Sequence, residues 1–315
     1  MNNVNLFWSN NIDGRSYEDW VNSKAVFSPH HALSLLSHTK RNAVNLITYH
    51  KQTEIKTENL TVINANDYFN DINAYASLSK NNSIAFISDY VRIRFSLKNG
   101  GVVLDMDAVS INDFPEVDGF MASLPAKQTS SMAIKFGKTR PAIKVHDQSW
   151  DGKALSSFPT KPSPKSKELF NALLNKIYYY LHVQNTKSVN WNFVMHGLQE
   201  ITARCDDMMA FPPITFGCIP AWKKAGNCYS LDSVKIFNGK TEKFGYTIPS
   251  ITDIFEKSCV VQHFYESAFK KTDINYNPNF WKKLHSETFL AHEAEQVIGS
   301  NWRSILTDFY QYINE

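Results

Sequence analysis

Asp89, Arg92, Asp105 and Asp107 stand close enough in the chain, and suit one another well enough in type, to build one site for a metal-bound anionic ligand. Ile84 to Lys98 carries helical spacing with Val91, Phe95 and Leu97 inward. Asp89 and Arg92, three apart, then leave the helix on one face and can grip a ligand together. Asn99, Gly100 and Gly101 tolerate positive φ, so they end the helix and turn the chain into the apolar run Val102, Val103, Leu104, a buried strand by its pattern. Asp105 and Asp107 follow. Alternation along an extended chain sends both carboxylates to one side, at the carboxyl edge of a sheet, where α/β proteins bind ligands. Such a pair is a hard oxygen donor set of the kind that suits a divalent cation on a diphosphate.

A bare Asp-x-Asp is a solvated turn in most proteins; an Asp and an Arg three apart, a helix, a Gly-Gly, a short apolar strand and Asp-x-Asp in that order is far more specific. The ordered set resembles the DxD region of GT-A fold glycosyltransferases, in particular the bacterial polysaccharide α-glycosyltransferases and, more distantly, the clostridial glucosylating toxins. The resemblance implies that Asp105 and Asp107 hold Mn2+ or Mg2+ on the diphosphate of a nucleotide sugar, UDP-linked. It also implies that Asp89 and Arg92 hold donor-sugar hydroxyls and that transfer retains the anomeric configuration, so that no enzymatic base is required.

Two further segments are similar to the same family. Val4 to Trp8 resembles its opening strand, which ends in a Trp that stacks on the nucleotide base; Trp8 is the matching position. Ala294 to Trp302 resembles the toxin-type closing loop, in which Ser300 would reach the metal and Ser300 and Trp302 would cover the donor, with Trp302 counted among the catalytic residues. Val297 departs from that pattern, since an acidic metal ligand is expected there; Glu293, Glu295 and His292 are its nearest substitutes. His263, in Val260 to Phe264, is a rival ligand because the polysaccharide enzymes carry a strand-borne His shortly before a Ser-Trp, although here Ser267 precedes Ala268.

The chain around these residues reads as α/β. Its 315 residues, 43% hydrophobic and 20% charged, suffice for a sizeable core and exclude a disordered segment. Charge is nearly balanced, 33 basic against 30 acidic residues, so composition does not call for nucleic acid. No run approaches membrane-spanning length and no secretion signal is visible, which points to a cytoplasmic protein; peripheral membrane contact is left open. Cys205, Cys218, Cys228 and Cys259 lack zinc spacing and read as reduced thiols. A single domain over 1–315 is expected, in the GT-A manner: a Rossmann-like, mainly parallel central sheet flanked by helices over about 1–145, then an acceptor-side α/β portion over about 146–315. Ser28-Pro29 reads as a helix start, with His30 and His31 on a solvated face. Strands near Ala43 to Tyr49 and Leu60 to Ile63 alternate with helices near Asp67 to Ser79 and Ile84 to Lys98. Val117 to Ala122 and Ser131 to Phe136 read as strands, Pro159 to Lys167 as a loop, and Glu168 to Leu181 as an amphipathic helix. Asn190 to Ala221 is where an acceptor would be sought; Asp206 and Asp207 could bind its hydroxyls, but adjacent acids at a helix end read first as solvent-facing. A hairpin turns at Asn238-Gly239. Of Tyr178, Tyr179 and Tyr180 at least one ring should be exposed.

The reading is thus a metal-dependent, retaining glycosyltransferase of polysaccharide biosynthesis, acting on a bacterial surface glycan. Its rivals are a glycosyltransferase acting on protein or on modified DNA bases, whose lysines 161, 165, 167, 223 and 224 would track phosphates, and a donor-binding pseudoenzyme.

Overall fold

The structure, a computed structural model, describes residues 3–12, 14–69, 84–114, 119–122, 132–134, 143–145, 156–158, 161–182, 192–211, 216–218, 242–243, 246–247, 251–262 and 277–315. Strands β1 (Asn3–Phe7), β2 (Ala43–Thr48), β3 (Leu60–Asn64) and β4 (Gly101–Val103) form a parallel block ordered β4-β1-β2-β3. Beyond β4 the same sheet continues through the antiparallel β9 (Ser156–Phe158) to β6 (Phe120–Ala122) and β10 (Met209–Phe211). A second sheet orders β11 (Phe216–Cys218), β14 (Val260–Gln262) and β5 (Ala108–Ser110). The pairs β7 (Met132–Ile134) with β8 (Ile143–Val145) and β12 (Glu242–Lys243) with β13 (Tyr246–Thr247) stand apart as antiparallel ribbons.

Alternation along β1 builds two cores, one on each face. Val4 and Leu6 join Val44, Leu46, Val102 and Leu104 on one side. That side is covered by α2 (Pro29–Thr39), α8 (Phe289–Ile298) and α9 (Trp302–Asn314). Phe7, Ile47 and Val103 face the other side, under α3 (Ile84–Asn99), α4 (Pro164–His182) and α5 (Asn192–Arg204). The shorter helices are α1 (Tyr17–Val21), α6 (Ile251–Lys257) and α7 (Phe280–Lys283). This is the expected α/β architecture with a parallel block at its centre. The acceptor-side expectations at Asn238-Gly239 and most of Asp67 to Ser79 lie outside the described residues.

Ser28 starts α2 as the spacing predicts: its hydroxyl accepts from the His31 N–H, and the His31 ring accepts from the Ser28 N–H, a reciprocal cap. The solvated face expected for His30 and His31 is overturned. Both are buried, because the helix start packs into the core rather than along its surface. Burial holds the His31 pKa down at about 3, so the ring stays neutral.

Candidate active site

The turn between α3 and β4 works because it can take positive φ twice, at Gly100 (72°) and Gly101 (100°). A Cβ on Gly101 would lie 2.7 Å from the Asn3 carbonyl, so the close approach of β4 to β1 requires glycine there. Asn5, fully buried mid-strand in β1, fastens the junction by donating to Ser96 Oγ (2.8 Å) and to the Gly100 carbonyl (2.9 Å), while accepting from Asn45 (2.9 Å).

Asp105 and Asp107 do not continue β4. The strand ends at Val103, and the Ala108 N–H closes a turn onto the Asp105 carbonyl at 3.0 Å. It is this turn at the carboxyl edge, rather than alternation along a strand, that presents both acids, each partly exposed. From one side Arg92 reaches in from α3. Its Nη2 donates to Asp89 at 3.0 Å and to Asp105 at 2.7 Å, its Nη1 to the Leu104 carbonyl, and its Nε to the Ser88 carbonyl at 3.4 Å. The guanidinium is 3% exposed. Burial works to lower its pKa, but Asp105 and Asp89 more than offset that and raise it above the ordinary value. The structure therefore brings Asp89, Arg92 and Asp105 into one ion cluster, with Asp107 on the same turn. Arg92, expected to grip sugar hydroxyls, directs four of its five N–H donors into the protein, to Asp89, Asp105 and the carbonyls of Ser88 and Leu104.

Trp8 follows β1 at the same sheet edge and extends the parallel pairing by donating its backbone N–H to the Ile47 carbonyl. Its indole N–H donates to the Val26 carbonyl (2.9 Å) and its ring meets His31 edge-on at 4.0 Å, so its orientation is held while the side chain stays part-exposed. The loop carrying Trp8 is fastened by residues that sequence reasoning passed over. Asn10 bridges the Lys24 carbonyl and the Val26 N–H, and the Asn10 N–H donates to His50 Nε2 at 2.8 Å. His50 Nδ1 donates in turn to the Trp20 carbonyl at 2.9 Å. Burial lowers the His50 pKa to about 4, preserving the neutral ring that this pair of bonds needs. A single Asn and a single His in a loop carry no sequence signal for such a role.

Ser300 and Trp302 are not brought to the cluster. Lys40, just past the end of α2, donates to the Val297 and Ile298 carbonyls at 3.2 and 3.1 Å, while Asn314 bonds Phe27 at the start of α2. Helix α9 therefore runs antiparallel to α2, with Ser300 and Trp302 near its amino-edge end. The eleven residues of α2, Pro29 to Thr39, span about 16 Å at 1.5 Å per residue, and the acidic turn belongs to the opposite, carboxyl edge. Trp302 is a core residue, 5% exposed, packed edge-on against Trp281 at 6.1 Å with the Arg303 guanidinium over its ring. Val297 and Glu293 are buried in the same helix pair, and His292 is exposed on α8. Among the described residues no three His, Cys, Asp or Glu come together as a metal cluster, so His292, Glu293 and Glu295 do not join the acidic turn. His263 lies outside the described residues, although Gln262 before it pairs with Ala108, the residue after Asp107.

In the expected acceptor half, Asp207 is not a solvent-facing acid. It accepts from the Ser163 N–H (2.7 Å) and hydroxyl (3.2 Å) and from the Ser166 hydroxyl (2.5 Å), fixing the first turn of α4. Burial works to raise its pKa, but these bonds outweigh it and hold the carboxyl below its usual range. Asp206 is exposed, and Tyr178 and Tyr179 are 40% and 45% exposed, as the run of three predicts. Cys205 and Cys259 are buried and in no disulfide, and burial pushes the Cys259 thiol up to about 12. No described helix is long and apolar enough to cross a membrane.

No family model and no curated protein matches the chain. Among solved structures it is similar to one described as PaToxG Glycosyltransferase, at 13% identity, covering 64% of this chain and 68% of that one, with a TM-score of 0.36. A likeness of that degree leaves function to the side chains themselves.

Proposed function

We propose that the chain is a metal-dependent, retaining glycosyltransferase that moves a sugar from a nucleoside diphosphate sugar, UDP-linked, to a hydroxyl of a bacterial surface glycan. The observation that carries the reading is the cluster at the carboxyl edge, where buried Arg92 holds Asp89 and Asp105 together and Asp107 stands on the same turn. Asp105 and Asp107, part-exposed hard oxygen donors, fit Mn2+ or Mg2+. His263 is preferred to His292 as a further ligand, because β14 delivers the chain to Ala108 beside Asp107. The cation would neutralise the charge that gathers on the departing diphosphate.

The protein's own residues do the remaining work in this reading. Asp89 accepts hydrogen bonds from donor-sugar hydroxyls and so sets the anomeric carbon for transfer. Arg92 keeps Asp89 and Asp105 at fixed spacing, which spares the site the cost of assembling two like charges when the donor arrives. Trp8 offers its indole to the base from a ring already held by Val26 and His31. Ser300 and Trp302 take no part.

Donor hydrolysis by the purified protein, across UDP and GDP sugars with Mn2+ and without acceptor, tests the proposal. Wild type should release nucleoside diphosphate, and Asp105→Asn and Asp107→Asn should each lose it by orders of magnitude with their folding intact. Turnover near wild type in either variant, or in excess EDTA, would refute the metal site. Tight Mn2+-dependent UDP binding with no turnover on any donor would favour the pseudoenzyme instead.

A further inference from the structure

We infer that Ser34, Ser37 and His38 are positioning residues: α2 uses them to hold the strand that begins one residue after Asp107, and so sets the acidic turn for its ligand. The inference rests on the reading of that turn as the metal and diphosphate site.

Among the described residues β5 is an outer strand of its sheet, paired with β14 alone. Its other edge must find partners for backbone groups that no described strand meets. Helix α2 supplies them. The Ala108 carbonyl accepts from Ser34 Oγ at 2.7 Å and from His38 Nε2 at 3.0 Å, and the Ser110 N–H donates to Ser37 Oγ at 2.9 Å. All three side chains are fully buried. Ala108 is thus tied at both ends, by its N–H to the Asp105 carbonyl across the turn and by its carbonyl to α2. Any slip of β5 along α2 would carry Asp107 with it.

The chemistry of His38 argues against mere packing. A carbonyl only accepts, so the ring carries its proton on Nε2. Its Nδ1 is then buried with no hydrogen-bond partner among the described residues, a desolvation penalty that a Leu or Met at the same place would not carry. What the imidazole adds over an apolar side chain is the second bond to Ala108. Burial keeps the ring neutral, with a pKa lowered to about 4, so the bond persists at neutral pH.

The test titrates the preformed Mn2+–UDP complex, and UDP alone, into wild type, Ser34→Ala, His38→Gln, the double variant Ser34→Ala with His38→Met, and Asp107→Asn. Amide exchange at Ala108 to Ser110 is followed alongside. The double variant should bind Mn2+–UDP about tenfold or more weakly, the size of loss usual when groups behind a metal ligand are removed, with metal-free UDP affinity unchanged and faster exchange in β5. His38→Gln, whose amide nitrogen can reach the same carbonyl, should stay within roughly threefold of wild type on the same scale. Wild-type affinity in the double variant, while Asp107→Asn loses binding, overturns the inference and leaves the site standing. Equal losses in His38→Gln and the double variant overturn it as well, since the ring's shape would then matter rather than its donor. Unchanged binding in Asp107→Asn overturns the site reading itself. Should the double variant fail to melt cooperatively, Ser34→Ala alone decides: a loss of roughly threefold supports the clamp, and none refutes it.

Discussion

Replacing Arg92 by Met separates a strut from a sugar-gripping hand. The side chain is 3% exposed, while the carboxylates it joins are 9% and 21% exposed. Removing it would leave two acids facing one another across a nearly dry gap, with the Leu104 carbonyl stripped of a donor. Breaking such a pair by deleting one partner costs roughly 3–5 kcal/mol. The part-wet Asp105 argues for the lower half of that range. At the usual unfolding entropy per residue, this lowers the melting temperature by about 5–6 °C for a chain of this size. Arg92→Lys should fall between, because an ammonium keeps the charge but cannot fork to both carboxylates and a carbonyl. The decisive variant is the double one. Asp89→Asn with Arg92→Met removes one of the two stranded charges, so it should melt above Arg92→Met alone, with a favourable coupling of roughly 1 kcal/mol or more. Scanning calorimetry of the three variants checks this. If Arg92→Met melts within a degree of wild type yet loses donor turnover, the strut account fails and the arginine belongs to the ligand.

The other expectations test the surroundings of the site. Trp302→Ala empties a large aromatic position beside Trp281, so it should cost roughly 3–5 kcal/mol in urea unfolding while Mn2+–UDP affinity in the folded protein stays put; a stable variant with lost UDP binding would restore a closing role for the loop. Acid should destabilise the fold well above the carboxylate range. His31, His38 and His50 titrate near 3, 4 and 4 when folded but near 6.5 when unfolded. The unfolded chain therefore binds more protons between about pH 4 and 6.5, and stability rises with pH through that window. At pH 5 each ring should cost about 2 kcal/mol relative to pH 7.5; equal urea midpoints at the two pH values would contradict the burial of these rings. Asp207→Ala removes the group that caps α4, a loss of about 1–2 kcal/mol by thermal melt, and any change in acceptor kinetics without a change in melting would return it to the acceptor site.

Legibility followed the range of the forces involved. Helix α3, the Gly100-Gly101 turn and the strands of the parallel block were readable because spacing and φ demands act within a few residues. The pairing of Asp89 with Arg92 was readable for the same reason. What Arg92 does with that pairing was not, since its partners at Leu104 and Asp105 come from beyond the turn, and only the fold says that they engage its fork. Trp302 shows the limit most clearly. Ser300 and Trp302 have the spacing of a donor-covering loop, yet spacing holds no information about which edge of a sheet a loop serves. That is decided by Lys40 at one end of α2 and Phe27 at the other, each more than 250 residues away in sequence from its partner in the last helices. The same reasoning explains the buried histidines. His31 and His38 look polar to any local pattern, and they are interior because one helix must fill a core on one side and complete the edge of a short strand on the other. A helix asked to do both carries polar groups on its inner face, so its hydrophobic period is interrupted where α2 lies against the strand that leaves the acidic turn.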